Sequence, residues 1–115
     1  MRLTSVGIDA VEISRFRVAL KGANKRFFAT TFSELERRYC TAFSDPSPHF
    51  AGTFAAKEAI QKAVGADRLP LSAIEIRHEK SGRPYVCLKG RRNSSILISI
   101  SHTKGIACAV AIIGT

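Results

Sequence analysis

Pro48-His49-Phe50-Ala51-Gly52-Thr53-Phe54-Ala55-Ala56-Lys57-Glu58-Ala59-Ile60-Gln61-Lys62-Ala63-Val64-Gly65 is the stretch that decides the fold. Asp45-Pro46-Ser47-Pro48 stops whatever precedes it and opens a helix, and Gly65 ends that helix after Val64. At about 100° per residue, Ala55, Ala56, Ala59, Ile60, Ala63 and Val64 form a broad apolar face. Lys57, Glu58, Gln61 and Lys62 fill the opposite arc. Phe50, Ala51 and Phe54 lie on that arc too, one or two turns earlier. Polar residues therefore begin where an apolar strip ends, with Phe54 four residues behind Glu58 and Lys62 four ahead. Two readings follow. A carboxylate at such a boundary is partly desolvated and suits a cation; alternatively, Glu58→Lys62 is a favourably oriented i,i+4 surface pair worth about 0.2–0.5 kcal/mol.

Upstream, Leu3 to Asp9 reads as a strand with Val6 and Ile8 on one face and Gly7 and Asp9 on the other. Asp9, ending an apolar run, is by itself compatible with a mere turn residue. Ser14 is placed to cap a helix running to about Lys21, which Gly22-Ala23-Asn24 breaks. Ser33-Glu34-Leu35-Glu36 has the form of a capping box opening a second helix to about Phe43. Downstream, strands are expected over Ala73–His78, Pro84–Leu88 and Ser94–Ser101, with Lys80-Ser81-Gly82-Arg83 turning between the first two. A fourth, Ile106–Ile113, follows the turn His102-Thr103-Lys104-Gly105. Helices first and strands last predict an α+β fold: an N-terminal strand and helices, one of them long and central, packed on an antiparallel sheet, in a single domain over 1–115.

The 115 residues are 45% hydrophobic, which excludes a disordered tail, and the formal charge of +9 favours an acidic partner. Three cysteines without a C-x-x-C spacing argue against a disulfide framework and a zinc site, and fit a reducing compartment. Cys87 and Cys108 read as small core hydrophobes. No apolar run is long enough to span a membrane, and the first residues lead into a strand rather than a signal peptide, so a cytoplasmic protein without a membrane partner is expected. Between Ile13 and Ser33 stand five bases, Arg15, Arg17, Lys21, Lys25 and Arg26, and no acid. Such a run is either a solvated face or a docking surface. A nucleic-acid module would use the same charge. However, no RNP-like aromatic pattern, zinc spacing or helix-turn-helix accompanies it, and no nucleic acid is expected.

Four motifs, in order, resemble the holo-acyl-carrier-protein synthase family of phosphopantetheinyl transferases, the short trimeric type. Gly7-Ile8-Asp9-Ala10-Val11-Glu12-Ile13 is similar to its opening strand, and Phe50-Ala51-Gly52-Thr53-Phe54-Ala55-Ala56-Lys57-Glu58-Ala59, continued by Lys62, Ala63 and Gly65, to its central helix. Ser81-Gly82-Arg83-Pro84-Tyr85-Val86 is similar to its Gly-Lys/Arg-Pro turn, and Ser99-Ile100-Ser101-His102-Thr103 to its late Ser-x-Ser/Thr-His motif. The resemblance spans nearly the whole chain. It implies transfer of 4′-phosphopantetheine from coenzyme A to a serine of an apo-acyl carrier protein, releasing 3′,5′-ADP, in fatty acid or polyketide biosynthesis.

The same resemblance implies magnesium held by Asp9 and Glu58. It places Lys62 near the phosphates and Gly65, Gly82, Pro84, His102 and Thr103 near coenzyme A. The catalytic residues would be Asp9, Glu58 and Lys62. An acidic carrier protein would dock on Arg15, Lys21, Lys25 and Arg26, and a homotrimer would carry its active sites between subunits. His102 can also be read as a turn histidine with no ligand. The chain departs from the family pattern at Thr53, where Arg is common, at Ser44-Asp45-Pro46, where bases are frequent, and near Ile106, where a tyrosine is common. These departures leave the metal ligands in place but touch the nucleotide end of coenzyme A. An inactive relative that only binds carrier protein is the alternative they raise.

Overall fold

A computed structural model of the chain describes residues 2–22, 24–65 and 69–115. Its elements in order are β1 (Leu3–Glu12), α1 (Ile13–Lys21), α2 (Lys25–Thr31), α3 (Glu34–Thr41) and α4 (Ser47–Val64). A short 3-10 turn (Leu71–Ala73) leads into β2 (Ile74–His78), β3 (Pro84–Leu88), β4 (Arg91–Arg92), β5 (Ile96–His102) and β6 (Ile106–Gly114). The α+β expectation holds, with the strands divided between two antiparallel three-stranded sheets, β1-β6-β5 and β2-β3-β4. The main-chain amide of Thr115 donates to the carbonyl of Arg2 (2.9 Å), placing the two ends of the chain side by side.

The central helix occupies almost its expected span, and Gly65, at φ 106°, closes it. It lies against the first sheet, where both surfaces are made of small residues: Gly7, Ala107, Ala109 and Ala111 on the sheet, Ala55, Ala59 and Ala63 on the helix. The approach at Gly7 is extreme. A Cβ there would stand 2.0 Å from the Ala59 carbonyl oxygen and 2.9 Å from the Ala63 nitrogen. That is why the polar-looking face of β1, carrying Gly7 and Asp9, points inward while Val6 and Ile8 are each 66% exposed.

Several local expectations change. Ser14 lies inside α1 and does not cap it; the cap position is Glu12, which makes no side-chain cap bond. Ala23, part of the expected break, lies outside the described residues. α2 was not foreseen: it is seven residues long, has no side-chain cap, and is held by Phe27 and Phe28 packed against Phe16, Phe32, Phe50 and Phe54, with ring centroids as close as 4.9 Å. The capping box at Ser33 forms as expected, with reciprocal Ser33 and Glu36 bonds. Cys87 is buried, whereas Cys108 is only partly covered.

Lys57 is a correction. It is fully buried, not on a solvated arc, because α3 and β2 cover that side of α4. Its ammonium donates to Glu36 Oε1 (2.7 Å) and to the Thr31 carbonyl (2.7 Å). Glu36 Oε1 also receives the Ser33 amide (2.8 Å) and Oε2 the Ile76 amide (2.7 Å). One ion pair thus ties α4, α3 and β2 together.

Candidate functional site

Asp9 sits on the inward face of β1, directly over α4. Lys62 reaches up from the helix and donates to the Ile8 carbonyl (2.9 Å) and to Asp9 Oδ1 (3.2 Å). The i,i+4 surface pair of Glu58 with Lys62 is therefore not formed. Glu58 remains beside Asp9 with no hydrogen bond to its carboxylate among the described residues. Burial pushes its pKa up, the Asp9 charge pushes it further, and Lys62 and Arg15 oppose the rise. The Asp9 side chain is only 16% exposed. Two carboxylates held together against their repulsion, with one Asp9 oxygen and both Glu58 oxygens uncommitted, suit a small divalent cation.

The donor set narrows the choice. No group of three or more His, Cys, Asp or Glu side chains with metal-holding geometry occurs among the described residues. Zinc and calcium sites draw on more protein ligands. Mg²⁺ keeps several waters and needs only one or two carboxylates plus substrate phosphates, so the pair fits that ion.

A second cluster lies at the other edge of the first sheet. Gly82, Pro84 and His102 line a cavity of 200 Å³ together with His49, Thr53 and His78. Gly82 takes a positive φ of 93° in the β2–β3 turn, which the Gly82 amide closes on the Glu79 carbonyl (2.9 Å). An adjoining cavity of 530 Å³ shares Pro48 and His102 and adds Thr103, Arg17, Asp45 and Lys104. Gly65 lines neither. Thr53, at the departure from the family pattern, is buried and donates to the His49 carbonyl (2.8 Å). Asp9 and His102 stand on the outer strands β1 and β5 with β6 between them, two strand spacings, about 9.5 Å, across the sheet. The sequence reading named His102 but missed His49 and His78. Their positions on α4 and β2 carry no local signal, and only the tertiary fold brings the three together.

The basic run separates into parts. Arg17 is taken by Asp45 (2.9 Å), while Arg15, Lys21, Lys25 and Arg26 are exposed along α1 and α2. Arg92 is held away from both cavities by Glu79 (2.8 Å) and the Tyr85 ring.

Comparison with known proteins gives this arrangement a context. A family profile described as the 4′-phosphopantetheinyl transferase superfamily matches residues 5–111. A holo-[acyl-carrier-protein] synthase of Chlamydia caviae is 37% identical over 119 residues, covering 97% of this chain and 98% of that protein. The chain belongs to the holo-[acyl-carrier-protein] synthase family. A relative from a Thermoanaerobacter species is 40% identical over 121 residues, covering 95% of this chain and 87% of its own. Among solved structures, the Helicobacter pylori synthase in complex with coenzyme A aligns at TM-score 0.82 with 29% identity, covering 95% of this chain and 99% of its own. The Bacillus anthracis synthase, in complex with CoA (3′,5′-ADP), aligns at 0.80 with 28% identity over 98% and 97% of the two chains. The fold expected of a family member is the fold observed. Among the described residues, no helix is long and apolar enough to cross a membrane.

Proposed function

We propose that this chain is a holo-[acyl-carrier-protein] synthase, transferring 4′-phosphopantetheine from coenzyme A to a serine of apo-acyl carrier protein. The observation that carries the reading is the Asp9–Glu58 carboxylate pair, with Lys62 bridging to Asp9, in a chain of this family. In the transfer, the serine oxygen bonds to the phosphorus bearing pantetheine, the bond from that phosphorus to the bridging oxygen breaks, 3′,5′-ADP leaves, and the serine loses its proton. Asp9 and Glu58 would hold Mg²⁺, whose charge would offset that of the diphosphate. Lys62 adds a fixed positive charge beside the phosphates. Gly82, Pro84, His102 and Thr103 form the wall for the nucleotide end, and Gly65 sets the end of α4 behind Lys62.

Two features support a homotrimer with sites between subunits. The carboxylate pair and the histidine-lined cavity lie at opposite edges of one sheet, so neighbouring copies can complete each other. The outward face of that sheet is apolar, with Val6 and Ile8 (66% exposed), Ile106 (48%) and Leu97 (42%) open. Exposed Arg15, Lys21, Lys25 and Arg26 supply the docking surface for an acidic carrier protein. The whole chain acts as one transferase domain in the cytoplasm, serving fatty acid or polyketide biosynthesis.

A single assay tests this reading: coenzyme A, Mg²⁺ and apo carrier protein, with the carrier's mass as readout. The wild type adds the phosphopantetheine mass, Asp9→Asn and Glu58→Gln do not, and Arg15→Glu raises the KM for carrier alone. Mixing Glu58→Gln with His102→Ala in equal amounts restores about a quarter of the sites if random trimers share sites between subunits. No mass gain by the wild type would leave the inactive relative that merely binds carrier. An active monomer in sedimentation would remove the trimer.

A further inference from the structure

The Glu58 carboxylate makes no hydrogen bond among the described residues, so its place beside Asp9 depends on how α4 is rolled about its axis. Side chains end about 5–6 Å from a helix axis, so a roll of about 10° carries that carboxylate roughly 1 Å along its arc. The face of α4 against the first sheet consists of Ala55, Ala59 and Ala63 over Gly7, Ala107, Ala109 and Ala111. Residues that small set how close the helix lies and offer few interlocking side chains to set its roll. The ring contacts that grip Phe50 and Phe54 stand one to two turns before Glu58. The bonds of Gln61 to the Leu69 carbonyl (2.9 Å), of Lys62 to Ile8 and Asp9, and of Ser5 to the Ala63 carbonyl (2.6 Å) stand after it.

Lys57 is the anchor next to Glu58, and its ammonium is held from three sides. It donates to Glu36 Oε1 and to the Thr31 carbonyl, both at 2.7 Å, and lies 5.7 Å from the centre of the Phe32 ring. Thr31 is the last residue of α2, whose terminal carbonyls have no partner within the helix and attract a cation. The carboxylate acceptor is itself fixed: Glu36 takes the Ser33 amide on Oε1 (2.8 Å) and the Ile76 amide on Oε2 (2.7 Å). Water does not loosen this anchor, since the Lys57 and Glu36 side chains are 1% and 0% exposed, against 53% for Lys62. A buried ion pair is often no more stabilising than apolar residues of the same volume, and the role best attested for it is to select one geometry. An apolar side chain at position 57 would stay buried over a range of rolls; the ammonium meets both acceptors at one.

We propose that the Lys57–Glu36 ion pair is a positioning device for the carboxylate site: it fixes the roll of α4 and so holds Glu58 where it shares a divalent cation with Asp9. The inference rests on the reading of Asp9 and Glu58 as a metal-holding pair. Lys57 and Glu36 touch neither cation nor substrate; they act through Glu58, one residue along the helix from Lys57. A displacement of about 1 Å in a reacting geometry costs on the order of 10²-fold in rate, and loss of a residue that orients a metal ligand costs about 10–100-fold in metal affinity or activity. The same Glu36 carboxylate holds the Ile76 amide, so the helix bearing Glu58 and the hairpin bearing Gly82 and Pro84 share one anchor.

The test separates positioning from stability with three variants: Lys57→Met, Lys57→Met/Glu36→Gln and, as a control, Ile96→Ala, a buried core truncation on β5 away from both carboxylates. Binding of Mn²⁺ alone is followed by electron paramagnetic resonance below the melting range of every variant, with Asp9→Asn as the reference for a damaged site. Lys57→Met and the double variant should each bind Mn²⁺ at least about tenfold more weakly than wild type, although the double variant melts higher than the single one. Ile96→Ala should melt lower and bind Mn²⁺ as wild type does. In the transfer assay kcat should fall about 10–100-fold in both Lys57 variants with the carrier KM little changed. Mn²⁺ affinity that recovers together with the melting temperature, or falls equally in Ile96→Ala, makes the pair a stabilising contact and overturns the proposal. So does wild-type protein that binds Mn²⁺ no better than Asp9→Asn. Wild type that binds Mn²⁺ through Asp9, loses it with Lys57→Met and transfers nothing keeps the positioning role and sinks the transferase reading. Active transfer with unchanged Mn²⁺ affinity in the Lys57 variants does the reverse.

Discussion

Replacing Lys57 by methionine removes, among the described residues, the only cation paired with a fully buried carboxylate, and the cost follows from the contacts already described. The pair is inaccessible on both sides, 1% for Lys57 and 0% for Glu36. Deleting one partner of such a pair costs about 3–5 kcal/mol, because the other charge stays buried. A domain of this size has only ~6–17 kcal/mol in hand, so the variant loses a large share of it. At roughly 4 °C per kcal/mol for a chain of this length, Lys57→Met should melt about 12–20 °C lower. Lys57→Met/Glu36→Gln should then melt higher than Lys57→Met. The glutamine removes the stranded charge while its carbonyl still accepts from the Ile76 or Ser33 amide. Glu36→Leu in the same background should not recover, since both amides are then orphaned at about 1–3 kcal/mol each. Thermal and urea melts of these three variants and of Glu36→Gln alone decide the matter. A loss below about 1 kcal/mol for Lys57→Met, or strictly additive effects of the two positions, would show that the pair does not tie α4 to α3 and β2.

Two further outcomes are expected. Gly7→Ala places a methyl 2.0 Å from a backbone oxygen that cannot rotate away. It should cost at least the roughly 1–3 kcal/mol typical of overpacking, lower Tm by about 4–12 °C, and reduce transfer by moving Asp9 off Glu58; rescue by Ala59→Gly would contradict this, because the clash is with backbone. Glu58 has a raised pKa from burial and the Asp9 charge. Its favourable contribution to folding is present below the unfolded carboxyl value of about 4.3 and is lost as pH rises through the folded one. Glu58→Gln should accordingly melt no lower than wild type at pH 7, and the Mg²⁺ concentration needed for half-maximal transfer by the wild type should fall as pH rises through that titration. A destabilised Glu58→Gln, or a Mg²⁺ requirement flat with pH, would contradict the assignment.

What could be read from the sequence was what local chemistry determines. The helix punctuated by Pro48 and Gly65, the reciprocal bonds of Ser33 and Glu36, and the alternation that puts Asp9 beside Gly7 are all settled within a few residues. Which face of β1 turns inward was not settled there, because the Ala59 carbonyl that only glycine admits comes from a helix some fifty residues away. Lys57 was misplaced because helical periodicity reports which residues share a face and not what covers it. Its partner Glu36 was visible in the capping box, but nothing local says that its carboxylate also reaches across to α4. α2 escaped because its seven residues lack a cap and owe their helix to phenylalanines on three other segments. The division of the strands into two sheets, and the meeting of His49, His78 and His102, depend on pairings between positions far apart in the chain.

The strand order β1-β6-β5 has a consequence for how the protein is made. β1 and β5 each pair with β6 and not with one another, and Leu3 finds its partner at Gly114. On the ribosome β1 emerges first and waits. At roughly 5–20 residues per second, the interval before β6 follows is on the order of 5–20 s, far longer than a hairpin takes to close. Throughout that interval the edge of β1 and its Val6 and Ile8 side chains are open to chaperones and to other nascent chains. The helices and the β2–β3 hairpin can form early, whereas the sheet carrying Asp9 can close only once its middle strand has left the exit tunnel.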